Sequence, residues 1–336
     1  MQKSLATYIA VRVMMSIPML VVILTLIFFL IRLTPGDPVE AVIGAYAPAG
    51  VVEKVREELG LNRPVFTQYV SYLGSIARLD FGESLTTGEP IISYIKSFFP
   101  ATLELALAAM ILAIVSGTAI GFIMAARPNT LIDVIGHMYS VLIYAVPVFW
   151  AGMLFQLLFG VMAGWLPTAS RIASDVPRHI TGLYVLDSLF TADWLALRGS
   201  LVHLVLPAIT LSLGMAGLFA RIVRINLIET LRDDYIRTAR AKGLGELKVL
   251  LKHAFRNAAI PVLTVMGMQF ALLLGGSVLT ETTFAWPGLG RFLAVSVGDR
   301  DYYAIQGVVA FYALFVAITS IIIDMLCAFV NPQIRY

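Results

Sequence analysis

A single cysteine, Cys327, stands in this sequence of 336 residues, inside an apolar run, so an internal disulfide framework and a CxxC metal site are both excluded. Charge is scarce too. Only 13% of residues are Asp, Glu, Lys or Arg, where an ordinary soluble domain carries roughly a quarter. No GxxxxGKS/T phosphate loop occurs, and the chain therefore lacks the usual means of holding ATP. Neither HExxH nor GxSxG is present, which counts against a membrane-embedded enzyme. No fixed-period repeat and no low-complexity tract appears.

What is abundant is apolar. Hydrophobic residues make up 59% of the chain, with a mean hydropathy of +0.86. They cluster in long runs, which points to an all-α polytopic membrane protein rather than one large buried core. A helix rising about 1.5 Å per residue needs about 20 residues to cross the hydrocarbon layer. Runs of that order lie at residues 8–31, 101–126, 135–163, 201–220, 261–281 and 305–330, giving about six crossings. The first is too long for a signal-peptide core and no small-residue cleavage site follows it, so it is expected to remain, with Arg12 snorkelling to the interface. Residues 33–100 form a long polar interval punctuated by Pro35, Gly36, Pro38, Pro48, Gly60, Pro64 and Gly82. Helical spacing recurs within it at 51–59 and 65–79, where Tyr69 and Tyr72 suit a membrane interface. Residues 164–200 and 282–304 separate later spans, the former with an amphipathic patch at Leu183–Trp194.

The distribution of Lys and Arg orients the chain. Residues 221–256 hold Arg221, Arg224, Arg232, Arg237, Arg240, Lys242, Lys248, Lys252 and Arg256, about one residue in four. The 33–100 interval is far thinner in them and richer in acids. The positive-inside rule places the basic segment in the cytosol, and six crossings then put both termini there.

The basic stretch 234–261 is the most informative part of the sequence. Apolar and small residues recur at Ile236, Ala239, Gly243, Leu247, Leu250 and Ala254 with helical spacing, while Lys248, Lys252 and Arg256 share one face. Gly243 and Gly245 interrupt the pattern, which predicts two short helices joined at a bend. Such an elbow exposes a formed surface to a partner, although a dense basic loop can also merely set topology or meet anionic headgroups. Nucleic acid is a poorer fit, since no aromatic interleaving accompanies the charge. Pro261 is expected to end the elbow and begin the fifth span.

Ionisable residues at membrane depth are costly, at least about 2.5 kcal/mol at mid-bilayer. Glu104, His203 and Asp324 lie near span ends and are expected to sit at an interface or to pair with a neighbouring helix; His137 carries little information. Glu281 leads straight into the Gly/Pro-rich segment 286–291, WPGLGR, and suits either a path or gating role or a paired, structural one. That segment either caps the outer ends of the last spans or contacts another protein. Ser116, Gly117, Gly121, Gly275, Gly276 and Ser277 suit close helix packing or subunit contact. A secondary transporter would often show an inverted repeat and mid-span carboxylates, and neither is evident here.

The run YIRTARAKG at 235–243, followed by HAFRNAAIPVLT at 253–264, resembles the EAA-type loop of ABC-importer permeases, in particular the first permease subunit of dipeptide and oligopeptide uptake systems. LTPGDPV (33–39), ELGLNRP (58–64), DFGES (80–84), ATLEL (101–105), PVFW (147–150), TGLYVLDSL (181–189), LTETTFAWPGLGR (279–291) and NPQIR (331–335) extend the likeness along nearly the whole chain in the family's order. The literal Glu-Ala-Ala is replaced by Thr238-Ala239-Arg240, a variant of the peptide branch. The resemblance implies a type I importer permease: residues 1–32 an N-terminal transmembrane helix, 33–100 an extracytoplasmic subdomain, 101–330 the permease core with a coupling loop at 221–260, and 331–336 a cytosolic tail. It also implies a second permease subunit, two ATP-binding subunits that carry ATP and Mg, and an extracytoplasmic substrate-binding protein. No cofactor or metal is expected in this chain, which itself would be non-catalytic. Arg237, Ala239, Arg240, Lys242, Gly243, Leu244 and Leu247 would meet the ATPases. Glu281, Trp286, Pro287, Gly288 and Arg291 would form an outer gate or a contact with the binding protein. Peptides are the leading cargo, while relatives of this shape also carry nickel, glutathione or oligosaccharides.

Overall fold

The computed structural model describes residues 5–33, 39, 48–58, 60–174 and 176–330. Residues 34–38 of the first motif, Leu59 of the second and the 331–335 motif with its tail lie outside the described residues. Hydrocarbon offers the backbone no hydrogen-bond partners, so apolar runs of this length satisfy their own amides as helices. In chain order these are α1 (Leu5–Leu33), α2 (Ala49–Glu58), α3 (Val65–Ala77), α4 (Ile91–Ala126), α5 (Leu131–Ala145) and α6 (Val148–Phe155). A π-helical stretch, Gln156–Met162, prolongs α6. Then follow α7 (Tyr184–Phe190), α8 (Trp194–Thr230), α9 (Asp234–Ala241) and α10 (Glu246–Lys248). A second π-helical stretch, Val249–Ala254, leads into α11 (Phe255–Thr283), and α12 (Leu289–Gly298) and α13 (Tyr302–Val330) complete the chain.

Five of these segments are long and apolar enough to cross a membrane: Ile9–Leu33, Ile91–Ala126, Trp194–Thr230, Val265–Thr283 and Tyr302–Met325. The expected third span, 135–163, is not one straight helix. Leu131–Ala145 and Val148–Met162 meet at 102°, and the pair makes a sixth crossing if counted together. The break falls at Val146, which is extended (φ −78°, ψ 126°) because the following Pro147 disfavours helical backbone before it.

Pro261 departs from expectation in the opposite sense. It lies inside α11, which runs unbroken through it, just as Pro18, Pro100 and Pro207 lie inside α1, α4 and α8. A proline removes one amide bond and crowds one carbonyl, but in lipid the alternative of unwinding would strand many more backbone groups. For the same reason α4 begins at Ile91, well before residue 101, and α8 continues past residue 220, so that Arg221 and Arg224 belong to a helix rather than to a loop.

α4 and α8 form the spine of the bundle, and α11 packs on both. Their shared core contains Leu105, Ala109, Ala113, Leu211, Phe219, Val223, Leu273 and Leu274. Close approach is set by Gly117 and Gly121, four residues apart on one face of α4. A Cβ on Gly117 would lie 2.6 Å from the Ala216 carbonyl oxygen and 2.7 Å from Phe219 Cβ, and one on Gly121 would run into the Ala220 carbonyl. α1 stands outside this spine, packed mainly on α13. Its outward residues Met14, Leu26, Leu30 and Leu33 are exposed and apolar, as a lipid-facing surface requires.

Gly275 and Gly276 behave differently from the α4 pair, since nothing lies within 4 Å of an added Cβ at either. Gly121→Ala should therefore lower the thermal stability of the detergent-solubilised protein by about 1–3 kcal/mol through overpacking. Gly275→Ala should be neutral or mildly stabilising, because alanine is the better helix former. Equal melting shifts for the two would contradict this packing.

Candidate functional site

The elbow is present as a formed unit. α9 ends at Ala241, Gly243 turns the chain with φ +76°, and α10 starts after Gly245. Positive φ at Gly243 is the left-handed region that glycine enters without strain. Open space surrounds it, with no atom within 4 Å of an added Cβ, so the tip of the bend is bare.

Beneath the tip, the elbow is fixed to the bundle by its apolar face. Ile236, Ala239, Val249, Leu250, Ala254 and Ala258 are buried together with Ala125 of α4 and Leu227 of α8, and Leu244 packs against them partly buried. Ala239 is thus taken up in the base of the elbow, while Leu244 lines that base and keeps partial exposure. Leu247 is the large apolar residue of the bend left outward, 64% exposed. Arg237 and Lys242 are exposed as well. Arg237 pairs with Asp234 at 3.3 Å within its own helix.

Arg240 is committed across the bend. Its Nε donates to Glu246 Oε2 at 3.1 Å, and its Nη2 donates to Glu246 Oε1, so α9 and α10 are clasped on either side of Gly243. Hydrogen bonding from the Arg240 guanidinium holds the Glu246 carboxyl below its ordinary value. At the root of the elbow, Arg224 of α8 grips Asp133 of α5 through Nε and Nη2, and Asp133 also accepts the Asn129 amide at 2.9 Å. Beside these groups opens a cleft of about 490 Å³ lined by Asn129, Arg224, Arg232, Arg240, Glu246 and Leu250, among others.

The second predicted cluster lies at the other end of α11 and faces inward. Glu281 is fully buried. Its Oε1 accepts Thr102 Oγ1 at 2.7 Å and its Oε2 accepts the Arg291 amide at 2.8 Å, while Thr102 Oγ1 accepts the Leu289 amide at 2.8 Å. Two of the orphan amides in the first turn of α12 are thereby satisfied. The glycines of WPGLGR follow from this arrangement. A Cβ on Gly288 would collide with the Glu281 carboxylate, and one on Gly290 would lie 2.9 Å from its Oε2. Trp286 is fully buried, and its indole Nε1 donates to the Ala101 carbonyl at 2.9 Å.

Surface contact through Glu281, Trp286 and Gly288 is therefore corrected: all three are enclosed where α4, α11 and α12 meet. Pro287 and Arg291 keep partial exposure. The carboxyl group of Glu281 thus joins the end of α11 to α4 and to the start of α12.

Three further groups attach the segments between spans. Glu104 forms a buried pair with Arg171 at 2.6 Å and accepts the Val185 amide, and Arg171 lies 3.6 Å over the Tyr184 ring. Burial pushes the Asp187 carboxyl up, but the Thr181 hydroxyl and the amides of Thr181, Ile180 and Gly182 outweigh that and hold it low. Asp301 accepts Thr86 Oγ1 at 3.0 Å and the Leu85 and Ala304 amides. Of these, the cost of a lone carboxylate at Glu104 signals in the sequence that a partner exists; nothing in the spacing points to Arg171 or Asp301. Asp324 reaches Arg12 at 3.2 Å, and His203 Nδ1 sits 2.9 Å from the Gly199 carbonyl. Among the described residues no group of three His, Cys, Asp or Glu side chains is placed to hold a metal ion.

Comparison with known proteins places this geometry in a lineage. Residues 117–336 match the family described as binding-protein-dependent transport system inner membrane component, and residues 5–106 match its N-terminal counterpart. The dipeptide transport system permease protein of Alkalihalophilus pseudofirmus is 38% identical over 329 residues, 97% of this chain and 98% of that protein. The di/tripeptide transport system permease protein of Pseudomonas aeruginosa is 40% identical over 334 residues, covering 98% and 99%. A glutathione transport system permease protein of Salmonella choleraesuis is 39% identical over 329 residues, covering 98% and 99%. Among solved structures, an amino acid ABC transporter crystallised with histidines shares the fold, with a TM-score of 0.50 at 15% identity, covering 70% of this chain and 93% of that one.

The Arg240–Glu246 clasp has a defined pH signature. Because the folded-state carboxyl lies below its unfolded value near 4.3, the clasp contributes fully above that value and its contribution is lost as pH falls through the lowered folded one. Both side chains are largely exposed, so the contribution stays under about 1 kcal/mol. Hydrogen exchange of the amides at 242–248 should lose up to about fivefold of its protection on acidification through that window. Glu246→Gln should show the reduced protection at every pH. An acid step of the same size in Glu246→Gln would contradict the assignment.

Proposed function

The chain belongs to the family of binding-protein-dependent transport system inner membrane components, and on that premise we propose that it is a permease subunit of an ATP-driven importer of short peptides. It spans the membrane several times. A second permease completes the path, two ATP-binding subunits carry ATP and Mg and engage the 234–261 elbow, and an extracytoplasmic binding protein delivers cargo. The elbow lies in the cytosol, with both termini on that side, in the plasma membrane of a prokaryote. Supporting the peptide reading are the full-length relatives named for dipeptide, di/tripeptide and glutathione transport. Glutathione is itself a small peptide, so one chemistry unites the three.

The observation that carries the coupling role is the division of the elbow into a buried base and a bare tip. Its base is continuous with α4, α8 and α11 through Ala125, Leu227 and Ala258, while Lys242, Gly243 and Leu247 stand outward. A force on the tip therefore moves helices rather than bending a loop. Binding of the ATPases shifts the inward/outward equilibrium only by their differential affinity for the two states, and a rigid base lets that difference reach the spans. Gly275 and Gly276, exposed on α11 with room for close approach, suit the contact with the second permease.

Gly243→Arg tests the reading. The surrounding space admits the side chain, but the left-handed backbone does not favour it, so the tip is altered while the buried base stays intact. Uptake by the assembled transporter should fall at least about tenfold, corresponding to about 1.4 kcal/mol of lost coupling, while the subunit accumulates normally and the ATPases continue to turn over. Unimpaired peptide uptake by the variant would refute the coupling role.

A further inference from the structure

At the end of the bundle opposite the elbow lies a cavity of about 200 Å³, bounded by the end of α1, by α3, by residues 80–82 and by the start of α13. Water takes about 30 Å³ per molecule, so the cavity has room for a phosphate group and a few waters. Arg32 and Arg63 reach it against one acid, Asp80, leaving a net positive lining.

Arg32 is the key group. It is partly buried, and among the described residues each contact that holds it is neutral. Nη1 donates to the Phe28 carbonyl at 3.1 Å, Nη2 donates to Gln68 Oε1 at 2.8 Å, and the guanidinium lies 3.4 Å over the Phe28 ring. A guanidinium withdrawn from water without an anion leaves its strongest interaction unmade. Tyr72 adds an independent sign. Its hydroxyl is buried in the wall of the cavity beside Gln306, and among the described residues it makes no hydrogen bond of ordinary geometry. Burial also pushes that phenol up to about 12, so it keeps its proton and can donate.

The surroundings identify the anion. Arg32 is the penultimate residue of α1, at the depth where a spanning helix meets the headgroups. Within two turns of it, Leu26, Phe29, Leu30 and Leu33 are exposed and apolar, so acyl chains run up to the mouth of the cavity. Basic side chains at headgroup depth attract anionic lipid headgroups electrostatically. We propose that this cavity seats the phosphate of an anionic phospholipid whose acyl chains lie along α1, with Arg32 and the Tyr72 hydroxyl as its donors. The lipid ties α1 and α3 to the start of α13, adding to the contact of Thr25 with Tyr69 at 2.6 Å between α1 and α3.

The test uses the full-length chain, titrated with phosphatidylglycerol and followed by native mass spectrometry, with inorganic phosphate as a separate arm. The natural sequence should retain one phosphatidylglycerol. Arg32→Gln should weaken it about tenfold, the size expected for one charge-assisted bond. Tyr72→Phe preserves the ring and its packing and should weaken it about threefold, which keeps the test decisive even if Arg32→Gln folds poorly. Equal retention by the natural sequence and Tyr72→Phe, with Arg32→Gln either equal or unfolded, would overturn the proposal. Saturation by inorganic phosphate that displaces phosphatidylglycerol would assign the cavity to a free anion and overturn the lipid source.

Discussion

A charge inside the hydrocarbon layer has no water to turn to, and this constraint organises the molecule more than any single packing contact. Three buried carboxylates are each answered from another element. Glu104 takes Arg171, Asp133 takes Arg224, and Glu281 takes a threonine hydroxyl together with a helix-start amide. Such pairs are poor sources of net stability, because desolvation consumes much of the attraction, yet breaking one leaves an uncompensated charge. They therefore fix which helix end meets which. The apolar core between α4, α8 and α11 supplies affinity without register, and the polar junctions supply the register.

The two ends of the bundle use this differently. At the Glu281 end, the carboxylate, Thr102 and the indole of Trp286 lock α4, α11 and α12 into one junction with no surface of its own. At the elbow end, Asp133 and Arg224 brace α5 against α8, and a small-residue core seats the elbow on both α4 and α11. The clasp from Arg240 to Glu246 then closes the bend without crossing the face that carries Lys242 and Leu247. A π-helical stretch, Val249–Ala254, separates that elbow from α11. Such wide turns recur at functional sites, and here one lies where the elbow joins a spanning helix.

Much of this was legible in residue order. Long apolar runs located the spans, and helical spacing broken by Gly243 and Gly245 foretold the helix–bend–helix of the elbow. Where the reading failed, tertiary context outweighed a local rule. Pro261 looks like a boundary because proline costs a helix roughly 3 kcal/mol in water, but in lipid unwinding costs more, and α11 runs through it. Pro147 acts as the local rule says, since a bend there exposes few unsatisfied groups. For Glu281 and Trp286 the sequence left a structural and an outward-facing role both open, because neighbouring Pro and Gly fit either. Only the three-dimensional arrangement reveals that these glycines exist to make room for a carboxylate. Ala239 shows a related limit: spacing tells which residues share a face, not whether that face points at the bundle or away from it.

The account stands on the elbow's bare tip facing the compartment that holds ATP. Exchanging Cys327 for alanine and introducing Leu247→Cys gives one thiol at that tip, which a membrane-impermeant maleimide can report. In intact cells this thiol should remain unlabelled, and it should react once the membrane is opened from within. Labelling in intact cells would place the tip on the outer side and contradict the central claim.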